Sequence, residues 1–165
     1  MEKVVLGLGS NLGNRKLFIR KAIKEISLLK GVIVLARSGL YQTEPWGFKS
    51  QGNFLNSAVI CLCKQSPHEL MKNLKKIEKK LGRKRSEKWA PREIDIDILF
   101  FGSHIIKNKN VEIPHPMIAK RNFVLIPLNE IIPEFIHPVL NTRISGLLHK
   151  SSDGCKVNKY NWAKF

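Results

Sequence analysis

The hydrophobic and polar positions of the chain follow two periods, which predict strands and helices in a mixed order. Residues 3–8 form a short apolar run that predicts a buried strand. Apolar residues then recur at helical spacing up to about Lys30, and Gly31 follows as a typical helix end. Residues 32–42 and 54–63 predict two more strands, separated by a loop rich in glycine, proline and aromatic residues.

The second half begins with a clear helix signal. Ser66 is a predicted N-cap, Pro67 stands at the first helical position, and Glu69 completes the pattern of a capping box. Gly82 ends this helix, and a basic loop over residues 83–91 follows. The remaining predicted elements are a strand at 93–101, a short hairpin partner at 104–106, and helical segments near 116–121, 124–131 and 142–149.

The order strand, helix, strand, strand, helix, strand predicts an α+β fold. We expect a ferredoxin-like antiparallel sheet with helices packed on one face, in a single domain that spans residues 1–165. A chain of this length suits one compact domain with its own core. A doubly wound parallel sheet is disfavoured, because its strands and helices would alternate throughout.

The strand at 93–101 carries the strongest chemical signal. Asp95 and Asp97 are two of only three aspartates in the chain, and the period of a strand places them on the same face. Ile94, Ile96 and Ile98 point the other way, into the core. Two hard oxygen ligands on one face predict a magnesium site that can face phosphate groups. The alternative is an edge strand whose exposed carboxylates pair with lysines.

The net charge of +16, from 29 Lys and Arg against 13 Asp and Glu, adds a preference for anionic partners. It is compatible with a solvated lysine-rich surface, with nucleic acid or with a nucleotide, and charge alone does not choose. The arginines are more informative, because the planar guanidinium suits phosphate oxygens and several arginines bracket the aspartates. These arginines are Arg83, Arg85, Arg92 and Arg121, and Lys88 lies in the loop with Arg83 and Arg85. A basic loop beside a metal-binding strand can close over a nucleotide.

Standard nucleotide-binding loops are absent. The glycine-rich stretch at 7–13 misses the dinucleotide fingerprint, since Leu12 stands where the third glycine is needed, and we interpret it as a strand-to-helix turn. His115, between two prolines, is balanced between a ligand contact and a structural role, whereas His137 is predicted to be structural.

Two phenylalanines have polar neighbours that fit a flat heteroaromatic ligand. Such a ligand would stack between Phe54 and Phe123 while Asn56 contacts its edge. The alternative, that both phenylalanines belong to an ordinary core, is the more common role of this residue type.

Features that indicate export or membrane insertion are missing. The N-terminus lacks a basic region followed by an apolar stretch, and no apolar run approaches the ~20 residues that cross a bilayer. Cys61, Cys63 and Cys155 are too few and too scattered for a disulfide framework, so we expect free thiols. These features predict a cytoplasmic protein that does not bind membranes.

The chain resembles the hydroxymethyl-dihydropterin pyrophosphokinases, a family of folate-biosynthesis enzymes. The matching segments are Gly9-Ser10-Asn11-Leu12-Gly13, Tyr41 to Gly47, Phe54-Leu55-Asn56, Trp89-Ala90-Pro91-Arg92, Asp95-Ile96-Asp97, Pro114-His115-Pro116, and Arg121 with Phe123-Val124-Leu125. The resemblance implies transfer of pyrophosphate from ATP to the hydroxymethyl group of 6-hydroxymethyl-7,8-dihydropterin, which leaves AMP. It also implies in-line attack on the β-phosphorus, assisted by two magnesium ions.

Site residues carry over from the family by position. Catalytic roles fall to Arg83, Arg92, Asp95 and Asp97, and both aspartates bind the metal ions. ATP contacts fall to Arg85, Lys88, Trp89, Ile98, His115 and Arg121, and pterin contacts to Thr43, Pro45, Trp46, Phe54, Asn56 and Phe123. This chain departs from the family pattern at Lys88, Asn110 and Glu112.

We expect a monomer whose partners are the pterin alcohol and ATP, with no nucleic acid. Two alternative functions compete with this one. The first is a basic domain that binds single-stranded RNA, and the second is a kinase that transfers only the γ-phosphoryl group of ATP.

Overall fold

The computed structural model describes residues 1–45, 50–84 and 90–161, and these residues form an α+β fold. The strands are β1 (Glu2–Ser10), β2 (Val32–Arg37), β3 (Leu40–Thr43), β4 (Phe54–Cys63), β5 (Asp95–Phe101), β6 (Ile106–Lys107), β7 (Glu112–Ile113), β8 (Ile136–His137), β9 (Thr142–Arg143) and β10 (Val157–Tyr160). The α-helices are α1 (Arg15–Ser27), α2 (Pro67–Lys80), α3 (Asn122–Ile131) and α4 (Ile144–Lys150), and a 3₁₀ turn spans Ile118–Lys120.

Six strands form one antiparallel sheet in the order β10-β3-β4-β1-β5, and β2 also pairs with β4. The long strand β4 pairs with β3 along its first residues and with β2 along its last ones. The predicted strand at 32–42 is therefore wrong in one respect, because it is two strands. Strands β2 and β3 are separated at Ser38, whose side-chain hydroxyl accepts a hydrogen bond from Ala58 N at 2.9 Å.

The hairpin predicted at 104–106 is also wrong. The short strand β6 pairs with β7 rather than with β5, and the two form a separate two-stranded sheet. A two-residue strand offers no hydrophobic pattern from which its partner could be read.

Helices cover both faces of the sheet, which corrects the prediction that they pack on one face. On one face, α1 and α2 pack on the central strands through Ile19, Ala22, Ile26, Leu70, Leu74 and Ile77. On the other face, α3 and α4 form a second core through Leu125, Leu128, Ile144 and Leu147. Nearly all residues of β4 are buried, so this strand needs a cover on each side.

Local sequence signals set both ends of α2 as predicted, whereas α1 ends at Ser27, three residues before the predicted end at Lys30. The Ser66 hydroxyl accepts a hydrogen bond from Glu69 N at 3.2 Å and caps α2. Gly31 and Gly82 follow α1 and α2 with φ of 77° and 102°, a conformation in which glycine avoids the steric cost of a Cβ. Within the described ranges, no helix combines the length and the apolar character that a membrane span requires.

The cysteines are free thiols, as predicted. Burial raises the pKa of the Cys61 thiol to about 12, with a smaller contribution from Cys63. This thiol therefore stays protonated at physiological pH and acts as a small apolar side chain.

His137 is a buried structural residue, as predicted, and its burial has a consequence for stability. Its Nδ1 accepts hydrogen bonds from Val139 N and Leu140 N, both at 3.2 Å, and its ring meets Phe100 edge-on. Burial lowers the pKa of His137 below its ordinary value. Below about pH 6.5, His137 therefore binds a proton in the unfolded chain but stays neutral in the folded chain, and stability falls as pH falls.

We expect the free energy of unfolding to drop by up to about 1.4 kcal/mol per pH unit through this residue, between about pH 6.5 and the lowered pKa. His137→Asn keeps an acceptor atom near the position of Nδ1 but does not titrate, so it should flatten this part of the profile. Denaturant unfolding between pH 7 and 5 measures the slope. The exposed His149→Asn serves as the control, and an unchanged slope in His137→Asn would contradict the assignment.

Candidate active site

A cavity of about 410 Å³ opens where β1, β4 and β5 meet the start of α3. It brings together most of the residues that the sequence analysis selected: Thr43, Phe54, Asn56, Arg83, Arg92, Asp95, Asp97, His115, Arg121 and Phe123. These positions are far apart in sequence, and strand pairing and helix packing place them around one space.

Two glycines form the floor of this cavity. In the sheet, Gly9 lies between Asn56 and Asp95, and Gly7 lies beside Asp97. Directly paired residues share a face, so the aspartates and Asn56 stand on opposite sides of a strip without side chains. The predicted turn at 7–13 is therefore wrong at its start, because β1 continues to Ser10. Glycine inside a strand signals a close approach, and this signal was available in the sequence.

The side chain of Asp95 is held by two arginines. Its Oδ1 lies 2.6 Å from Arg83 Nη1, and its Oδ2 lies 3.1 Å from Arg92 Nη1. Burial acts to raise the pKa of Asp95, but the charges of Arg92 and Arg83 outweigh it and the pKa is lowered. Asp95 is therefore an anion at neutral pH that orients both guanidinium groups toward the cavity.

Glu78 and Lys75 on α2 extend the group of charged side chains around Asp95. The sequence alone did not predict a role for either residue at the site. Glu78 is only 2% exposed. Its Oε2 lies 2.7 Å from Arg83 Nη1, while its Oε1 lies 3.0 Å from Lys75 Nζ and accepts a hydrogen bond from Ile96 N at 2.7 Å. Burial raises the pKa of Glu78, and Lys75 opposes that shift. The position of Glu78, four residues after Leu74, puts its carboxylate on the buried face of α2, and this position was the available signal of an unusual role.

Asp97 has the opposite electrostatic setting from Asp95. Burial and the neighbouring charge of Asp95 raise the pKa of Asp97, and His115 opposes the shift. Burial also lowers the pKa of His115, although Asp97 acts to raise it. The two carboxylates thus repel each other across one face of β5, which favours a cation between or beside them.

The donor set of this face fits magnesium. Asp95 and Asp97 contribute carboxylate oxygens, and the described part of the chain holds no group of three or more His, Cys, Asp or Glu arranged for a metal ion. Magnesium usually keeps several waters and binds through one or two carboxylates plus substrate phosphates. A carboxylate pair without further protein ligands matches that pattern better than it matches a closed zinc site.

The other end of the cavity combines aromatic rings with a fixed amide. Asn56 Nδ2 donates to Thr43 Oγ1 at 3.0 Å, so the orientation of the amide is set by β3. Phe54 lies two residues before Asn56 on the same strand, and Phe123 lines the cavity from α3. The Arg121 Cζ atom lies 5.6 Å from the centroid of the Phe123 ring. This end therefore suits a flat ligand with polar edges.

Asn11 fixes the backbone of Arg92, a role that the sequence analysis did not assign. Its Oδ1 accepts from Arg92 N at 2.8 Å, and its own N donates to Arg92 O at 3.2 Å. Its Nδ2 donates to Gln51 Oε1 at 3.0 Å. The loop before β4 and the segment before β5 are therefore joined through one buried side chain.

Two of the described residues that were predicted to contact the ligands are not among the residues that line the cavity. The Ile98 side chain is 1% exposed and packs under α1 and α2, on the face opposite the cavity. Pro45 is described but is not among the residues that line the cavity. The predicted contacts Trp46, Arg85, Lys88 and Trp89 lie outside the described residues. The lining also includes residues without a predicted role, among them Leu99, Val124 and Pro127.

Comparisons with known proteins agree with this architecture. The family model described as 7,8-dihydro-6-hydroxymethylpterin-pyrophosphokinase (HPPK) matches residues 5–133. The 2-amino-4-hydroxy-6-hydroxymethyldihydropteridine pyrophosphokinase of Aquifex aeolicus is 45% identical over 139 residues, which cover 84% of this chain and 86% of that protein. The Bacillus subtilis protein of the same name is 40% identical over 126 residues, or 76% of this chain and 75% of that protein.

Solved structures show the same fold. The chain matches Plasmodium falciparum HPPK-DHPS, crystallised with pteroate, with a TM-score of 0.74 at 19% identity. The match covers 90% of this chain and 42% of the Plasmodium chain, so the chain spans less than half of that protein.

Proposed function

The chain belongs to the 7,8-dihydro-6-hydroxymethylpterin-pyrophosphokinase family, and on this premise we propose that it transfers pyrophosphate from ATP to the hydroxymethyl group of 6-hydroxymethyl-7,8-dihydropterin. The products are the pterin diphosphate and AMP, and the reaction is a step of folate biosynthesis. The observation that carries the proposal is one cavity with two chemically different ends. One end is lined by two carboxylates and several arginines, and the other by aromatic rings and an amide.

The aromatic end accommodates the pterin. Phe54 and Phe123 offer ring faces for stacking, and the amide of Asn56 contacts the polar edge of the heterocycle. Because Thr43 fixes the Asn56 amide, the site selects a ligand with a matching arrangement of donors and acceptors. The glycine floor lets the flat ring lie close to the sheet.

The charged end accommodates the triphosphate. Arg83, Arg92, His115 and Arg121 surround Asp95 and Asp97, and planar guanidinium groups bind phosphate oxygens through paired hydrogen bonds. Asp95 and Asp97 would hold two magnesium ions, which supply positive charge against the phosphate oxygens when bound. Trp89, Arg85 and Lys88 complete the proposed nucleotide contacts.

The chemistry needs positioning and charge more than covalent help. The hydroxyl oxygen of the pterin attacks the β-phosphorus in line, and the bond from that phosphorus to the oxygen bridging it to the α-phosphorus breaks. AMP leaves with the bridging oxygen and its electron pair, and the hydroxyl proton passes to solvent. Arg83 and Arg92 stabilise the charge that grows on the transferred oxygens.

We further infer a ferredoxin-like core from β1 to β5 with α1 and α2 on one face, to which α3 and α4 add a second layer. The proposed protein is a cytoplasmic monomer of one domain whose partners are small molecules, with no role for nucleic acid or membranes.

Product analysis tests the proposed function. Incubation with ATP, magnesium and the pterin alcohol should yield AMP and pterin diphosphate in equal amounts. ADP in place of AMP would identify an ordinary γ-phosphoryl kinase. Tight binding of single-stranded RNA without magnesium-dependent ATP binding would identify a binding module instead.

The glycine floor leads to a prediction about substrate selectivity. A Cβ at position 9 would lie 2.9 Å from Asn56 Oδ1, so Gly9→Ala displaces the amide that contacts the pterin. We expect the Kd of the pterin alcohol to rise about tenfold or more, because overpacking typically costs a few kcal/mol. ATP affinity should change much less.

Gly146→Ala in α4 is a matched control, since its added Cβ would lie 3.1 Å from the Thr142 methyl group, in a contact that does not line the cavity. It should leave pterin binding unchanged. Calorimetric titration measures both affinities, and wild-type pterin affinity in Gly9→Ala would show that the ligand does not use this strip.

A further inference from the structure

The first turn of α3 connects both ends of the proposed site. Arg121 immediately precedes this helix and Phe123 lies in its first turn, and both side chains line the cavity. Their side chains lie against each other, with 5.6 Å between Arg121 Cζ and the Phe123 ring centroid. Any shift of this turn therefore moves a proposed nucleotide contact and a proposed pterin contact together.

This turn is capped from a distant part of the chain. The residue before the helix, Arg121, provides no side-chain cap. Instead Asp153 Oδ2 accepts a hydrogen bond from Asn122 N at 2.7 Å, and Asn122 Nδ2 donates to Asp153 O at 2.9 Å. A carboxylate at a helix N-terminus satisfies an exposed N–H group and interacts favourably with the helix dipole.

Asp153 is itself held within the C-terminal segment. Its N donates to Ser151 Oγ at 3.2 Å, and its Oδ1 accepts from Cys155 N at 3.0 Å. The chain then continues into β10, where Val157 pairs with Thr43 of β3. The C-terminal segment thus joins two walls of the cavity, α3 and β3, and it lies beyond residues 5–133 that the family model matches.

We propose that Asp153 is a positioning residue, which holds Arg121 and Phe123 at the spacing from the sheet that substrate binding requires. It is the third aspartate of the chain, and unlike the other two it does not line the cavity. It acts through the backbone of Asn122. This inference rests on the proposed function, because the ligands are those of the pyrophosphokinase reaction.

Asp153→Ala removes the cap. Asp153→Asn keeps one oxygen that can accept from Asn122 N, but its amide NH2 then cannot accept from Cys155 N. We expect Asp153→Ala to raise the Kd of the pterin alcohol and of ATP about fivefold, with kcat at saturation changed less than about twofold. Asp153→Asn should restore part of this affinity and lie between Asp153→Ala and the wild type.

Ser66→Ala separates positioning from general destabilisation. It removes the N-cap of α2, more than two turns from the cavity-lining Lys75, so it should lower Tm to a similar degree. Its substrate affinities should remain at the wild-type level. Calorimetric binding, steady-state kinetics and thermal unfolding on all four proteins give the comparison.

Equal affinities in Asp153→Ala and Ser66→Ala, with wild-type protein forming AMP, would overturn the role of Asp153 and leave the proposed function intact. Failure of Asp153→Asn to restore affinity would also overturn it. Wild-type protein that forms no AMP would overturn the proposed function and this inference with it.

Discussion

Asp97→Asn is expected to reduce kcat about a thousandfold or more while the protein stays folded. The asparagine side chain has nearly the same shape but lacks the charge that holds a magnesium ion against the phosphates, a contribution of several kcal/mol to such reactions. Asp97 faces the cavity and not a core, so its replacement removes no apolar packing. Single-turnover formation of AMP measures the loss.

The stability of this variant should move in the opposite direction from its activity. Burial and the charge of Asp95 raise the pKa of Asp97, so its ionised form is disfavoured by folding and removal of the charge relieves repulsion at neutral pH. We therefore expect Tm to stay equal or to increase. Asp95→Asn is the matched comparison, because it weakens two ion pairs with Arg83 and Arg92 and should lower Tm.

Turnover near the wild-type level in Asp97→Asn would show that the metal ions are held elsewhere. A large fall in Tm would show that the carboxylate has a structural partner, which contradicts the electrostatic picture of the site.

Arg92→Ala is expected to reduce kcat by about a hundredfold to a thousandfold and to weaken ATP binding less than about tenfold. The guanidinium is held in place by Asp95 at 3.1 Å, and its backbone is fixed by Asn11. A cation placed in advance stabilises charge that develops in the transition state more than charge already present in bound ATP. Steady-state kinetics together with calorimetric ATP binding separates the two effects.

Arg143→Ala is the control for loss of an arginine. Arg143 pairs with Glu134 at 3.2 Å on an exposed surface, where such pairs contribute little. It should leave kcat and ATP affinity unchanged. A higher Kd for ATP with kcat unchanged in Arg92→Ala would indicate uniform binding of the nucleotide and would contradict a role in the transition state.

The periodicity of single elements could be predicted from the sequence. The alternation along β5 placed Asp95 and Asp97 on one face and Ile94 and Ile96 in the core, as the structure has them. Helix α2 begins at its predicted cap, Ser66. These features depend on side chains within a few residues of each other, which a single sequence displays.

Features that depend on tertiary packing were not predictable in the same way. The short helices α3 and α4 gave a helical pattern but no indication that they cover the second face of the sheet. Strand β10 is mostly polar and partly exposed, so its pairing with β3 left no hydrophobic signal. Asn11 was predicted only as part of a turn, because its partner Arg92 lies 81 residues away.

Residues of the site were found where their chemistry is unusual and missed where it is common. An aspartate pair in a chain with three aspartates stands out, whereas Lys75 is one of many helical lysines. Only the packing of α2 against β5 shows that Lys75 and Glu78 reach the cavity cluster. The glycines of β1 were ambiguous, since the same residue type serves turns and close approaches.

An isotope experiment tests the proposed attack on the β-phosphorus most directly. ATP is labelled with ¹⁸O at the oxygen that bridges the α- and β-phosphorus and is incubated with the protein, magnesium and the pterin alcohol. The products are separated, and mass spectrometry measures the ¹⁸O content of each. Attack on the β-phosphorus predicts that all of the label appears in AMP and none in the pterin diphosphate. Label retained in ADP, or released in free pyrophosphate, would contradict it.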